Sequence, residues 1–257
     1  MKIATWNVNS IRARESRLLN WLAKHQPDVV CLQELKVTDE AFPFDAVRQA
    51  GYEAAVCGQK TYNGVAILAR TPLSDVARGF NDGIDDPQAR LIAATVKGVR
   101  IISAYVPNGA EVGSDKYAYK QQWLARLQAY LSASDLSKPL ALCGDINIAP
   151  EPRDVAFPER WEGSVLFNPE MRDQFRRILE LGLTDTLRLH HAEAGLYSWW
   201  DYRQLSFPRN DGLRVDHILV TRPLAERCIG AMIDRDERKG DKASDHAPVI
   251  AIFEDED

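Results

Sequence analysis

The chain has too few cysteines, spaced too widely, for a disulfide framework or a zinc site: Cys31, Cys57, Cys143 and Cys228 stand alone, outside any paired Cys/His arrangement. No uninterrupted apolar run is long enough to cross a bilayer. The opening Met1-Lys2-Ile3-Ala4-Thr5-Trp6-Asn7 enters strand-like sequence without the apolar stretch and cleavage site of a signal peptide. These absences lead us to expect a cytoplasmic protein with no membrane contact. Positive charge is not in excess either; the net charge is −5, which taken alone disfavours a partner rich in phosphate. Yet Glu254-Asp255-Glu256-Asp257 supplies four of those negative charges, so the rest of the chain stands at −1. A metal site built of carboxylates adds acid where a cation would neutralise it, and the sign of the total decides little.

What remains is the composition of a folded enzyme. Hydrophobic residues at 45% and charged residues at 27% exclude extensive disorder, and we expect a single domain over 1–257 with a short acidic tail at 254–257. Short apolar runs at Lys2 to Thr5, Val29 to Leu32, Gly64 to Ala69, Leu91 to Val96, Val99 to Ala104, Leu140 to Cys143, Val215 to Val220 and Val249 to Phe253 read as strands. The Lys97-Gly98 turn predicts a hairpin. Helical patterns run through Leu18 to Leu22, Lys116 to Ala133 and Arg172 to Leu181. The mixture suggests two sheets packed face to face with helices outside, although a single mixed sheet fits the same pattern. Asn81 to Gln88, Gly109 to Asp115 and Ala149 to Asn168 read as surface loops.

Polar residues gather at the ends of these runs. Asn7 and Glu34 follow the first two, Tyr105 ends a later one, Asp145-Ile146-Asn147 follows Leu142-Cys143-Gly144, and Ser244-Asp245-His246 precedes the last. Carboxylates, carboxamides and an imidazole form the kit for metal-assisted attack on a phosphodiester. Glu34, Asp145 and Asp245 with the amide oxygens of Asn7 and Asn147, and His246 beside them, offer the hard donors that Mg²⁺, or Mn²⁺ in its place, prefers. If the segment is extended, the spacing of two points Asp145 and Asn147 to one side. Asp216 is a candidate to hold the His246 tautomer. Each has a structural alternative: a turn, a strand start, a solvated carboxylate or a half-buried aromatic.

A basic rim for DNA phosphates is offered by Arg12, Arg14, Arg17 and Lys36, and more weakly by Lys116 and Lys120, interleaved with Tyr117 and Tyr119. Arg90, Asn108 and Arg203 are further candidate contacts. The aromatic cluster Tyr197-Ser198-Trp199-Trp200-Asp201-Tyr202-Arg203 suits core packing or the walls of a nucleotide site.

In order along the chain, Trp6-Asn7-Val8-Asn9-Ser10-Ile11-Arg12-Ala13, Leu32-Gln33-Glu34-Leu35-Lys36, Tyr105-Val106-Pro107-Asn108-Gly109, Gly144-Asp145-Ile146-Asn147-Ile148-Ala149-Pro150, Ser198-Trp199-Trp200-Asp201-Tyr202-Arg203, Gly212-Leu213-Arg214-Val215-Asp216-His217 and Ser244-Asp245-His246-Ala247-Pro248-Val249 resemble the exonuclease III group of the endonuclease/exonuclease/phosphatase superfamily. The resemblance implies a DNase I-like four-layer α/β sandwich. It also implies Mg²⁺-dependent hydrolysis of duplex DNA at abasic sites and 3′ ends, by abasic-site incision, 3′-exonuclease and 3′-phosphatase action. It makes Glu34 the principal metal ligand with Asn7 and Asp245 contributing, Asp145 the group that orients water, and Asn147 a transition-state partner. His246 paired with Asp216 would contact the phosphate, Tyr105 would be the catalytic tyrosine, and Trp199 and Trp200 would line a pocket for an abasic deoxyribose. The protein would act as a monomer without an obligate protein partner. The loop Ala149 to Asn168, Asn108 in place of a commoner Gln, and the acidic tail depart from the family pattern. Two other readings are a phosphodiesterase of the same fold acting on inositol phosphates or phospholipids, and a DNA-binding module without catalysis.

Overall fold

In the first strand, β1 (Lys2–Asn7), apolar side chains are buried on both faces: Ile3 packs in one cluster, Ala4 and Trp6 in another. Burial on both faces marks an inner strand of a layered α/β fold. Helix α1 (Ile11–His25) starts at Ser10, whose side chain accepts the Ala13 N–H, and buries Ile11, Leu18, Trp21 and Leu22 as one stripe. It ends at Gln26 in the left-handed conformation, ahead of Pro27. There follow β2 (Val29–Gln33), α2 (Phe44–Gln49), β3 (Glu53–Cys57), β4 (Val65–Ala69), β5 (Ser74–Arg78), β6 (Leu91–Val96) and β7 (Val99–Tyr105). Next come α3 (Asp115–Ser132), β8 (Leu140–Asp145), α4 (Pro158–Trp161), α5 (Pro169–Glu180), β9 (Leu183–Asp185) and α6 (Thr186–His190). The chain closes with β10 (Asp216–Thr221), α7 (Arg222–Ala225), β11 (Cys228–Ile233) and β12 (Val249–Phe253). This computed structural model describes residues 1–255, so Glu256 and Asp257 of the acidic tail lie outside the described residues.

The strands form two six-stranded sheets, ordered β11-β12-β1-β2-β4-β3 and β5-β6-β7-β8-β10-β9. Three apolar clusters fill the gaps between four layers. One joins α1 and α2 to the first sheet through Trp6, Trp21, Leu32 and Val47. Another lies between the sheets around Ile3, Cys31, Ile67, Ile101, Cys143 and Val249. The third packs α3 and α5 on the second sheet through Trp123, Leu127, Phe175, Leu142 and Leu219. The two-sheet alternative is therefore the one realised. All the inner strands and the β6–β7 hairpin occur where the sequence placed them. The four unexpected strands, β3, β5, β9 and β11, are the edges of the two sheets. Ala149 to Asn168 is more ordered than expected, with a 3₁₀ turn at Pro152–Asp154 and the short helix α4. Among the described residues no helix is long and apolar enough to cross a membrane.

Register brings the polar strand ends to one rim. In the second sheet β7 runs parallel to β8 with Tyr105 opposite Asp145, and β10 runs antiparallel with Asp216 opposite the same residue. In the first sheet β1 and β2 run parallel with Asn7 opposite Gln33, so Glu34 emerges beside Asn7. Because β12 is antiparallel to β1, the segment Ser244–His246 that leads into it arrives at the same end.

Gly144 sits where the register permits nothing larger. A Cβ there would lie 1.9 Å from the Ala104 carbonyl oxygen of β7. Gly144→Ala is expected to force β7 and β8 apart, costing about 1–3 kcal/mol as overpacking does. Urea unfolding checks this, and an unchanged midpoint would contradict the close approach.

Candidate active site

The rim is built by residues leaving strands in conformations that turn their side chains inward. Glu34 follows β2 with φ +53°, and Asn147 follows β8 with φ +52°, both in the left-handed region that non-glycine residues seldom occupy. The Asp145-Ile146-Asn147 segment is thus not extended, as the spacing argument assumed. Asp145 Oδ1 instead accepts the Asn147 N–H at 3.0 Å, an Asx turn that brings the two residues together.

Asn7 links the sheets. Its Nδ2 donates to Glu34 Oε1 at 2.8 Å and to Asp145 Oδ2 at 2.9 Å, while Oδ1 accepts the Asn9 N–H. Beneath it Gln33 donates to Ser103 Oγ of the other sheet, and Ser103 donates to the Leu32 carbonyl. On the far side His246 Nδ1 lies 2.8 Å from Asp216 Oδ2, and its Nε2 faces Asp145 Oδ2 at 3.8 Å. That gap is too long for a direct hydrogen bond, so both groups are free to face a third. Asp245 accepts from Asn9 Nδ2 and from Trp199 Nε1. A cavity of about 280 Å³ is lined by Glu34, Tyr105, Asp145, Asn147, Asp245 and His246 together with Asn108, Leu166, Trp199 and Val215.

Crowded acids set the electrostatics. Burial pushes the Asp145 carboxyl up to about 7; the nearby His246 opposes this, whereas the charges of Asp216 and Glu34 add to it. For His246 burial works against the charged ring, yet the charges of Asp216 and Asp145 and the Asp216 hydrogen bond outweigh it and raise the imidazole to about 10. Burial also raises Asp245, but His246 and the bonds from Trp199 and Asn9 bring it below the ordinary value. Tyr105 is pushed well above its usual range by burial and then by the charges of Glu34 and Asp145, so it stays a phenol able to donate to Glu34.

The donor set fits a hard cation. Glu34, Asp145 and His246 each present one candidate ligand atom within 4.8 Å of the others, and four carboxylates crowd a rim that carries one imidazole. The two carboxylates suit such an ion; His246, held as an imidazolium, suits an anionic oxygen better. Of the other expected ligands, Asn7 turns its NH₂ group to the acids and Asn147 bonds Val106 O and Asn108 Nδ2, whereas Asp245 accepts from Asn9 and Trp199 and lines the same cavity as Glu34.

Of the expected DNA contacts, Arg12 and Arg203 are exposed, as is Asn108 beside the cavity. Lys36 is half-buried against Glu34 Oε2 at 3.0 Å, and Arg90 stacks 4.6 Å over the Tyr105 ring. Three expectations are corrected. Lys120 is fully buried and donates to Asn108 O, Asn147 O and Val165 O, so it clamps three loops instead of meeting phosphate. Burial lowers its ammonium to about 7, against an upward pull from Asp145. Trp200 is also fully buried, bonded to Asn210, leaving Trp199 alone on the cavity wall. Arg14 spends its guanidinium on Asn9 O, Tyr202 Oη and Ala243 O.

Several supporting residues escaped the sequence reading. Ser198 Oγ accepts the N–H groups of Val215 and Asp216, and Ser244 Oγ donates to Asn7 O at 2.7 Å. Arg214, buried between Asp154 and Asp185, anchors the entry to β10. Leu166 comes from the irregular loop, where neither periodicity nor spacing signals a role.

Removing the Asp145 charge tests the crowding. A carboxyl raised in the folded state favours the protonated form, so its ionisation costs stability as pH climbs from the ordinary carboxylate range through about 7. In EDTA, Asp145→Asn is expected to raise the melting temperature at about pH 8 and to lose most of that advantage near about pH 4, where the folded-state carboxyl is protonated and its ionisation no longer costs stability. A variant that melts lower at the higher pH would contradict the electrostatic account.

Comparison with known proteins gives a consistent match. Residues 4–246 fit the model of the Endonuclease/Exonuclease/phosphatase family. The chain is 39% identical to exodeoxyribonuclease III of Haemophilus influenzae, across 98% of this chain and 100% of the relative. Among solved structures, a 3′ phosphatase from Neisseria bound to a product DNA hairpin superposes with a TM-score of 0.97 at 44% identity, covering 99% of each chain. An AP endonuclease from Archaeoglobus fulgidus gives 0.95 at 42% identity, over 98% of this chain and 99% of that one.

Proposed function

The chain belongs to the Endonuclease/Exonuclease/phosphatase family, and from that membership and the rim's geometry we propose that it is a Mg²⁺-dependent DNA-repair phosphodiesterase acting at abasic sites and 3′ ends of duplex DNA. The observation that carries the reading is the arrangement of His246 between Asp216 and Asp145, with Glu34 within reach on the opposite sheet.

Asp216 fixes the His246 ring by its Nδ1, leaving the Nε2 proton for a non-bridging phosphoryl oxygen. Asp145, tied by Asn7 and by the Asn147 N–H, orients a water for in-line attack and receives its proton. Tyr105, protonated beside Glu34, donates within the site, and Asn147 places its amide against the same cavity. Held by Glu34 with Asp145 adjacent, Mg²⁺, or Mn²⁺ in its place, would polarise the phosphoryl group and offset charge on the leaving oxygen. Trp199, Leu166 and Val215 provide an apolar wall suited to a deoxyribose without a base. Exposed Arg12 and Arg203 are suited to phosphate contacts at the edge. We take the monomer as the working unit.

Purified protein with Mg²⁺ is expected to cleave a duplex carrying an abasic analogue or a 3′ phosphate, and EDTA to abolish the product. Inertness on both, or turnover of a phosphoinositide instead, would reject the reading. Glu34→Ala should raise the cation concentration needed for half-maximal rate, whereas His246→Ala should lower kcat by about 10²–10³-fold with little change in that requirement, as loss of one transition-state donor does. Full activity in both variants would contradict the assignments.

A further inference from the structure

Beside the reaction pocket lies a second cavity of about 570 Å³, within the roughly 300–1,000 Å³ typical of small-molecule sites. The two share Asn108, Leu166 and Trp199, which form the ridge between them. Next to that ridge the lining continues with Trp161 at the end of α4, in edge contact with Trp199 with ring centroids 6.0 Å apart and planes at 84°. Both indoles are half-buried, so each keeps surface open to a ligand.

The lining of this cavity includes no Lys or Arg, and Glu111 contributes to it, so it does not suit a phosphate. Aromatic and aliphatic walls with an amide and the Ser164 hydroxyl nearby suit a neutral planar group with polar edges. The cavity is also held in shape. Lys120 donates to the carbonyls of Asn108 and Val165, which lie on two of its sides. By contrast, the other face of the tryptophan pair looks onto a smaller cavity, of about 290 Å³, bearing Arg160, Arg203, Asp201 and Asp211.

We propose that this second cavity receives the base of the nucleotide on the 3′ side of the scissile phosphate, with Trp161 and Trp199 as its aromatic walls. The inference rests on the function proposed above. An abasic sugar ends at the Leu166–Trp199 ridge, and a 3′ phosphate has no nucleoside beyond it; only an intact nucleotide at a 3′ end has a base to place further on. Trp161 is then a specificity-determining residue for removal of ordinary nucleotides.

A duplex ending in 3′-terminal 2-aminopurine, mixed with protein in EDTA, reads the stacking without turnover. Wild type and Trp161→Phe are expected to quench the fluorescence on binding, and Trp161→Ala to lose most of that quenching. With Mg²⁺, the ratio of kcat/KM for releasing an unmodified 3′ nucleotide to that for removing a 3′ phosphate should fall about tenfold in Trp161→Ala, the scale of one lost base–aromatic stack, and recover in Trp161→Phe. Absent quenching in the wild type, undiminished quenching in Trp161→Ala, or an unchanged ratio would overturn the proposal. A merely structural tryptophan would lower both rates and the melting temperature together, leaving the ratio fixed. A wild type inert on every DNA would instead overturn the proposed function, with the fluorescence still testing the subsite.

Discussion

Four carboxylates held at one rim repel each other, and the rest of the molecule is organised to hold them there. Two like charges about 4 Å apart interact by roughly 4 kcal/mol at an effective dielectric constant of about 20. The net stability of a domain is only about 5–15 kcal/mol. A rim of this kind therefore needs both local compensation and a stiff frame. Asn7 supplies compensation where the sheets meet, one amide nitrogen serving Glu34 and Asp145 together. His246 supplies it between Asp216 and Asp145, and Lys36 supplies it at the outer oxygen of Glu34. The frame comes from inner strands that are apolar on both faces, so that neither sheet can shift without opening a packed cluster.

The same constraint explains why cations that never reach solvent stand behind the loops at the rim. Lys120 and Arg214 are both fully buried, and both satisfy groups of the loops that carry the functional side chains. Lys120 binds three carbonyls that would otherwise be left without donors in a buried turn region. Arg214 joins Asp154 of the irregular loop to Asp185, immediately before the strand that delivers Asp216. A buried pair of this type gives little net stability, but breaking it leaves an uncompensated charge, so it fixes position more than it adds energy.

The four inner strands of each sheet were legible in the sequence and the two edge strands were not. Inner strands such as β2 and β8 are buried throughout and read as continuous apolar runs. The edge strand β5 is largely exposed, and its run Ser74-Asp75-Val76-Ala77-Arg78 carries no such signal. The site residues were legible because they follow or precede inner strands, whose ends must meet once the sheets pair. Their hydrogen bonding was not, since which face of the Asn7 amide meets the acids depends on a neighbour 138 residues away. Lys120 misled for a related reason. On an amphipathic helix two lysines interleaved with tyrosines have the pattern of a solvated face, and only the return of the loops at Asn147 and Val165 covers Lys120. Trp199 and Trp200 are adjacent and alike in composition, yet one lines the cavity and the other is core, a distinction made by the backbone bridges of Trp199 to Leu213 and His246.

Chemistry and selection then fall on different parts of the chain. The groups at the rim are set by strand register, and a shift of one residue in β8 or β10 would turn Asp145 or Asp216 away from the site and expose its apolar neighbours on the wrong face. That arrangement cannot vary gradually. The segment from Ala149 to Asn168 is tied to the frame by Asp154 to Arg214 and Arg188, by Val155 and Ala156 to Leu213 and Gly212, by Arg160 to Asp211 and by Val165 to Lys120. It contributes Trp161 and Leu166 to the cavities without supplying any of the rim acids. Half-buried Trp161 lines the second cavity and not the one that holds the carboxylates. On the function proposed here, the nucleotide that fits would be selected by this loop together with Asn108 and Trp199, while hydrolysis would depend on the ends of the strands.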